Sequence, residues 1–143
     1  MRASGFTLVE MLVVLVVLAL VAALVPPLLA GGRDRLELAA TTREIAAALR
    51  ETRSLAIREG RSEAFVLDGA GLFRAGAGPV RRLPAGLLLS ITGVADGRAR
   101  AAIRFFADGS STGGHLILLR GERRSDVTVD WLTGRVALDA AAR

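Results

Sequence analysis

The chain contains no cysteine, which removes disulfide scaffolds, thiol catalysis and thiolate-bound metal from consideration. It does not fix the redox compartment, since an exported protein can lack disulfides. Tyrosine, lysine, asparagine and glutamine are also missing, so all 19 basic residues are arginine. That pattern fits a bias toward GC-rich codons and is not by itself a sign of arginine-based function. A single histidine, His115, leaves no histidine pair and no histidine-rich metal site. Charge of one sign is not concentrated either. The net charge is +5, and no run of five or six like charges forms a tail. Binding to nucleic acid or an anionic surface is therefore permitted but not indicated. At 143 residues the chain fits one modest domain.

What is present is a long hydrophobic run. Hydrophobic residues make up 52% of the chain, and the surplus is local: between Met11 and Pro26 there is no charged or polar side chain. Residues 6–30 carry one charge, Glu10. A helix of about 20 residues spans the hydrocarbon core of a bilayer, and 11–30 alone meets that length. Pro26-Pro27 predicts a kink near 25–29. The order of features is wrong for a secretory signal. Arg2 is followed at once by small residues and Gly5-Phe6, and Val25-Pro26-Pro27 stands where a small-residue cleavage site would be. The segment is expected to stay on the mature protein. Arg2 is consistent with a cytoplasmic N-terminus, although Arg33 and Arg35 flank the other end and weaken that reading. A carboxylate within a membrane segment costs about 2.5–3.5 kcal/mol on insertion scales. Glu10 therefore either lies at the headgroup level or has a cationic partner. The nearest such partner would arise from a cut between Gly5 and Phe6. The new α-amino group could pair with Glu10 of a neighbouring copy.

Gly5-Phe6-Thr7-Leu8-Val9-Glu10-Met11-Leu12, followed by an apolar run, closely resembles the class III leader of type IV pilins and type II secretion pseudopilins. The resemblance covers roughly residues 1–30. It implies that prepilin peptidase removes a leader, residues 1–5, by cutting between Gly5 and Phe6. It also implies that the same enzyme N-methylates Phe6, and that Glu10 is the glutamate used in filament assembly. Pro27 falls where the family commonly has a helix-bending proline.

Gly31-Gly32 ends the apolar run. From there Leu38, Thr42, Ile45, Leu49, Thr52 and Ala56 recur at alternating intervals of four and three, which predicts an amphipathic helix over 33–59, with Gly60 as its stop. Whether it continues the apolar helix depends on the two glycines. After Gly60 the period changes to two. Strands are predicted at 62–67 and 71–74 around Asp68-Gly69, a hairpin signal, then at 80–83, 87–92, 101–106, 116–119, 127–131 and 135–138. Turn material includes 108–114 and Gly121-Glu122-Arg123-Arg124. The expected organisation is 6–30 as a transmembrane and assembly helix, 31–60 as an amphipathic helix and 61–143 as a periplasmic β-domain. The expected fold class is α+β and pilin-like: a long N-terminal helix packed on a C-terminal antiparallel β-domain of two small sheets.

Ile103-Arg104-Phe105-Phe106-Ala107-Asp108-Gly109-Ser110-Ser111-Thr112-Gly113-Gly114-His115-Leu116-Ile117-Leu118, with Val127-Thr128-Val129-Asp130 and Leu132-Thr133-Gly134-Arg135-Val136, resembles the GspH/FimT branch. That resemblance implies a minor pseudopilin of the type II secretion system, with other major and minor pseudopilins, prepilin peptidase and the inner membrane as partners. The β-domain would lie in the periplasm, and in the pseudopilus after assembly. The alternative is a FimT-like minor pilin of a type IV pilus that binds DNA for transformation, with Arg135, Arg123 and Arg124 as candidate contacts. DNA-binding members carry a Gly-Arg-any-Arg motif, but Gly134-Arg135-Val136-Ala137 has alanine at the second arginine position, which weakens that alternative. No cofactor, metal or enzymatic activity is implied. Segment 108–114 has too few oxygens for a good calcium site and reads as a hairpin loop. His115 reads as structural, Arg81-Arg82 and Arg123-Arg124 as solvated loop charges, and Trp131 with Phe105-Phe106 as core.

Overall fold

The structure is a computed structural model that describes residues 7–92 and 101–139, with the side chains of 24–31 outside the description. The chain divides into two compact units, Met1–Arg35 and Leu36–Arg143. One helix, α1 (Leu8–Glu59), contributes to both. Helical backbone is assigned through Pro26-Pro27 and through Gly31-Gly32.

In the first unit α1 starts at a capped end. Thr7 stands just outside the helix; its hydroxyl accepts a bond from the Glu10 amide at 3.2 Å, and its carbonyl accepts one from the Met11 amide at 3.2 Å. Thr7-Leu8-Val9-Glu10 has the spacing of a capping box, in which a threonine side chain satisfies an amide that the helix itself leaves without a partner. Every described side chain in 7–23 is exposed. Among the described residues no helix is long and apolar enough to cross a membrane; the apolar run is described side chain by side chain only as far as Ala23. The remainder of the predicted span lies outside the described side chains, as does the predicted bending at Pro27.

The second unit is built on the later turns of α1. Leu38, Thr42, Ile45, Leu49, Thr52 and Ala56 are all buried there, as the periodicity predicts. The two threonines sit in an apolar stripe because their hydroxyls bond back to the carbonyls one turn earlier, Thr42 to Leu38 at 2.7 Å and Thr52 to Ala48 at 2.8 Å. No buried hydroxyl in the stripe lacks a partner. The helix ends at Gly60, whose φ of 61° lets the Arg61 amide return to the Ala56 carbonyl, the bond pattern of a Schellman stop.

Eight strands follow: β1 (Glu63–Leu67), β2 (Leu72–Ala75), β3 (Arg81–Arg82), β4 (Leu87–Thr92), β5 (Ala101–Phe105), β6 (Gly114–Arg120), β7 (Arg123–Val129) and β8 (Val136–Asp139). They form two four-stranded sheets in the orders β3-β2-β1-β5 and β4-β6-β7-β8, with antiparallel pairing throughout. One apolar cluster joins Leu38, Ile45, Leu49 and Ala56 of α1 to Phe65, Phe73, Ile103 and Phe105 of the first sheet. The same cluster takes in Leu116, Leu118, Val127, Val129 and Val136 of the second. Gly114 allows the sheets to approach: a Cβ there would stand 2.8 Å from Ile103 Cδ1 and 3.0 Å from the Thr92 carbonyl.

Three expectations are corrected in detail. Arg123 and Arg124 belong to β7 and not to a turn. The turn is the two-residue loop Gly121-Glu122 between the paired residues Arg120 and Arg123, with glycine at φ 56° in the first central position, as a type II′ turn requires. The β1–β2 hairpin turns over four residues, 68–71, one more than the predicted strands left between them. Asp68 Oδ1 accepts from the amides of Ala70 and Leu72, and the positive φ falls on Gly71, so the aspartate side chain organises the loop. Trp131 is not core but 66% exposed, and Phe106 is 37% exposed, while Phe105 is fully buried as expected. β5 ends at Phe105, and Phe106 opens the following loop, where its amide donates to the Ser110 carbonyl at 3.0 Å.

Leu49 is fully buried within the cluster that joins both sheets. Leu49→Ala is expected to destabilise the folded protein by about 2–5 kcal/mol, measured by chemical denaturation of the detergent-solubilised chain.

Candidate functional site

The candidate residues fall on two separate parts of the chain. Gly5 and Phe6, the predicted processing pair, lie outside the described residues, and the side chain of Pro27 lies outside as well. Glu10 is described: it sits in the first turn of α1, three residues after the capping Thr7, and is exposed. Among the described residues no cation pairs with its carboxylate. Around it Leu8, Val9, Met11 and Leu12 are 83%, 70%, 51% and 56% exposed. An apolar surface this extensive on a helix marks an interaction with lipid or with other helices.

The candidate nucleic-acid contacts Arg123, Arg124 and Arg135 do not form one surface. Arg123 and Arg124 open β7, whereas Arg135 precedes β8 beside the other end of that strand. At about 3.3 Å per residue the two groups stand roughly 20 Å apart. Arg124 is also engaged, donating from Nε and Nη2 to the Asp126 carboxylate at 2.8 and 2.7 Å. Asp126 Oδ1 in turn lies 2.9 Å from His115 Nε2. The hydrogen bonds from Arg124, then its charge and the smaller contributions of His115, outweigh desolvation and hold the Asp126 carboxyl below its ordinary value. His115 thus has an acidic neighbour that its sequence context did not reveal, because the two residues meet only through the β6–β7 pairing. The hydroxyls beside it in sequence are used elsewhere. Ser110 donates to Asp108 at 2.6 Å and Ser111 to the Asp130 carbonyl at 2.9 Å. Among the described residues no serine–histidine hydrogen bond forms, and no cluster of three acidic or histidine side chains could hold a metal.

Segment 108–113 is a loop, as expected, while Gly114 already opens β6. Asp108 accepts from both the hydroxyl and the amide of Ser110, which holds its carboxyl below the ordinary value. The loop is fastened to α1: Arg53 Nε donates to the Gly109 carbonyl at 2.9 Å. It is also fastened to the β7–β8 loop, where the Ser111 amide donates to the Trp131 carbonyl at 2.8 Å. Gly134, at φ 62°, packs directly on this junction; a Cβ there would collide with the Gly109 carbonyl and lie 2.7 Å from Arg53 Nε. Next to it opens a cleft of about 630 Å³ lined by Arg50, Arg53, Ser54, Thr133, Gly134, Arg135 and Val136. The periodicity of α1 marked Arg50 and Arg53 only as positions off the apolar stripe. Their meeting with Arg135 depends on the long-range docking of the C-terminal strands.

Residues 1–26 match the prokaryotic N-terminal methylation motif, and residues 41–134 match the family described as type II transport protein GspH. The chain belongs to the GspH family. A relative from Xanthomonas campestris pv. campestris, type II secretion system protein H, is 40% identical over 136 residues, covering 92% of this chain and 80% of that protein. Among solved structures, the type IV minor pilin FimU of Pseudomonas aeruginosa superposes with a TM-score of 0.60 at 19% identity, covering 77% of this chain and 96% of that one. The minor pseudopilin EpsH of Vibrio cholerae superposes with a TM-score of 0.57 at 15% identity, covering 73% and 97%. Both likenesses establish a shared pilin-like fold: a long helix with antiparallel sheets, as the GspH-family motifs implied.

Two outcomes test this geometry. Gly134→Ala is expected to cost about 1–3 kcal/mol, the scale of a non-glycine residue held at positive φ, and to lower the midpoint of thermal unfolding. Asp126 has a folded pKa below its unfolded value. Its stabilising contribution is therefore present above the ordinary carboxylate pKa of about 3.9 and is lost as pH falls through the folded value. Asp126→Asn is expected to flatten the loss of stability as pH falls through that window, read by denaturation across pH.

Proposed function

We propose that this chain is a minor pseudopilin of the H type, a structural subunit of the type II secretion pseudopilus, and that it acts by assembly and not by catalysis. The observation that carries the reading is the 40% identity to type II secretion system protein H along nearly the whole chain. The methylation-motif match over 1–26 supports processing by a prepilin peptidase. The cut would fall between Gly5 and Phe6, with methylation of the new Phe6 amine. The apolar run 6–30 would anchor the chain in the inner membrane before assembly, with the β-domain, 61–143, on the periplasmic side.

The physical logic of assembly follows from the charges. Leaving the bilayer side by side with other pseudopilin helices would let the exposed apolar side chains of the first unit keep an apolar environment. Two charges must then be accommodated, the Glu10 carboxylate and the amine of Phe6. Pairing Glu10 of one subunit with the amine of its neighbour would neutralise both, which is the arrangement in which charges are tolerated in an apolar medium. Minor and major pseudopilins are the partners this reading requires.

The test is mass spectrometry of the protein isolated from native membranes, combined with co-isolation of its neighbours. The expected N-terminus is methylated Phe6, and the expected companions are pseudopilins and secretion components. An intact Met1 or Arg2 terminus in cells with active prepilin peptidase would overturn the processing assignment. Glu10→Ala is expected to reduce co-isolation of the other pseudopilins at least tenfold; unchanged recovery would remove the assembly role of Glu10.

A further inference from the structure

Three guanidinium groups converge on the cleft beside Gly134. Arg50 and Arg53 come from adjacent turns of α1, and Arg135 comes from the β7–β8 loop. Two of them are pinned: Arg50 Nη2 donates to the Val136 carbonyl at 3.2 Å and Arg53 Nε to the Gly109 carbonyl at 2.9 Å. Each of these bonds uses one of the five N–H donors of an arginine, so the pinned groups still present donors to the cleft. No carboxylate lines it, and among the described residues none forms an ion pair with Arg50, Arg53 or Arg135. The acids nearby are turned to other tasks. Glu44 and Glu51 of α1 face Arg81 at 3.9 and 3.7 Å, and Asp130 Oδ1 accepts the hydroxyl and amide of Thr133 at 2.7 Å each. Three like charges with only the Asp130 carboxylate acting on one of them, Arg135, repel one another, and an incoming anion relieves that repulsion while meeting prepositioned donors.

We propose that this cleft receives a side-chain carboxylate from an acidic loop of a neighbouring subunit's globular domain. The proposal rests on the assembly reading above and names the chemistry of one contact within it. The surroundings favour a protein over a nucleic acid. Trp131 and Leu132, 66% and 63% exposed, stand in the same loop as Thr133 and Arg135. An exposed tryptophan beside arginines is the composition of an anchor in a protein interface. A nucleic acid would need basic groups that track its backbone over several phosphates. Here the other exposed arginines of the second sheet, Arg123 and Arg124, lie at the far end of β7. Asp126 and Asp139, on paired strands, stand along the intervening surface.

The experiment places a photoreactive side chain at Ser54, an exposed residue of the cleft whose hydroxyl makes no hydrogen bond among the described residues, in the full chain in native membranes. A second photoreactive position at Leu15 in the apolar run reports helix assembly independently. The expected product from Ser54 is a crosslink to an aspartate- or glutamate-bearing peptide of another pseudopilin. Arg135→Glu should lower its yield at least tenfold, and Arg135→Lys should keep most of it. Among the described residues the Arg135 side chain forms no hydrogen bond, and its charge acts on Asp130; an unchanged midpoint of thermal unfolding would verify that the charge reversal leaves the domain folded. No product from Ser54, a product with nucleic acid, a product with a peptide lacking acidic residues, or a yield insensitive to Arg135→Glu would each overturn the proposal. Absence of Leu15 crosslinks to pseudopilins would count against the assembly reading, while the Ser54 product decides the cleft by itself.

Discussion

Ile45 and Leu49, fully buried on α1, belong to the same apolar cluster as Phe65 and Ile103 of one sheet and Leu116 and Val127 of the other. Each sheet has only four strands, two of them as short as Arg81–Arg82 and Val136–Asp139, and a sheet of this size needs an apolar partner to be stable. The helix stripe is a partner common to both. It also explains the alternation of large and small residues along it. Leu38, Ile45 and Leu49 fill space, while Ala46, Ala48 and Ala56, all buried, leave room for strands to come close. The hydroxyls of Thr42 and Thr52 are absorbed by the helix's own carbonyls, so the stripe remains apolar in effect.

The first unit shows the opposite condition. Its described side chains from 7–23 are exposed to the last residue, and their composition is that of a core without a domain around it. Two halves of one helix thus follow different rules. The later half satisfies its apolar stripe within its own chain. The earlier half has apolar residues on every side, a pattern that only lipid or a bundle of other helices can satisfy. Membership of the GspH family gives that requirement a biological setting in a filament of similar helices.

Much of this was legible from residue order, because it depends on local rules. The stripe from Leu38 to Ala56 was readable at intervals of four and three, and all six of its positions are buried. Each of the eight predicted strands overlaps an observed one, and β4 falls on its predicted residues. The misreadings share a cause. Arg123, Arg124, Ser125 and Asp126 look like loop composition, yet they form strand because β6 offers them a paired edge and their side chains can project to solvent. Trp131 was read as core, yet it is exposed in the tight turn closed by the hydrogen bonds between Asp130 and Thr133. The capping role of Thr7 was readable in Thr7-Leu8-Val9-Glu10 but was hidden behind the more specific processing motif. The cleft was not legible at all, since Arg50, Arg53 and Arg135 are brought together by tertiary contact alone.

The cap at Thr7 bears on what a cut after Gly5 would produce. Only Phe6 would then precede the capping residue, so the new amine would stand at the end of α1 where the aligned peptide dipoles leave partial positive charge. A cation at that end is disfavoured by about 0.3–1 kcal/mol, whereas a carboxylate in the first turn, as at Glu10, is favoured there. Processing would therefore leave each helix carrying an electrostatic misfit at its tip that its own fold does not fully relieve. A subunit in that condition is more uncomfortable alone than in company, and the drive to polymerise would be written into the helix end as soon as the leader is gone.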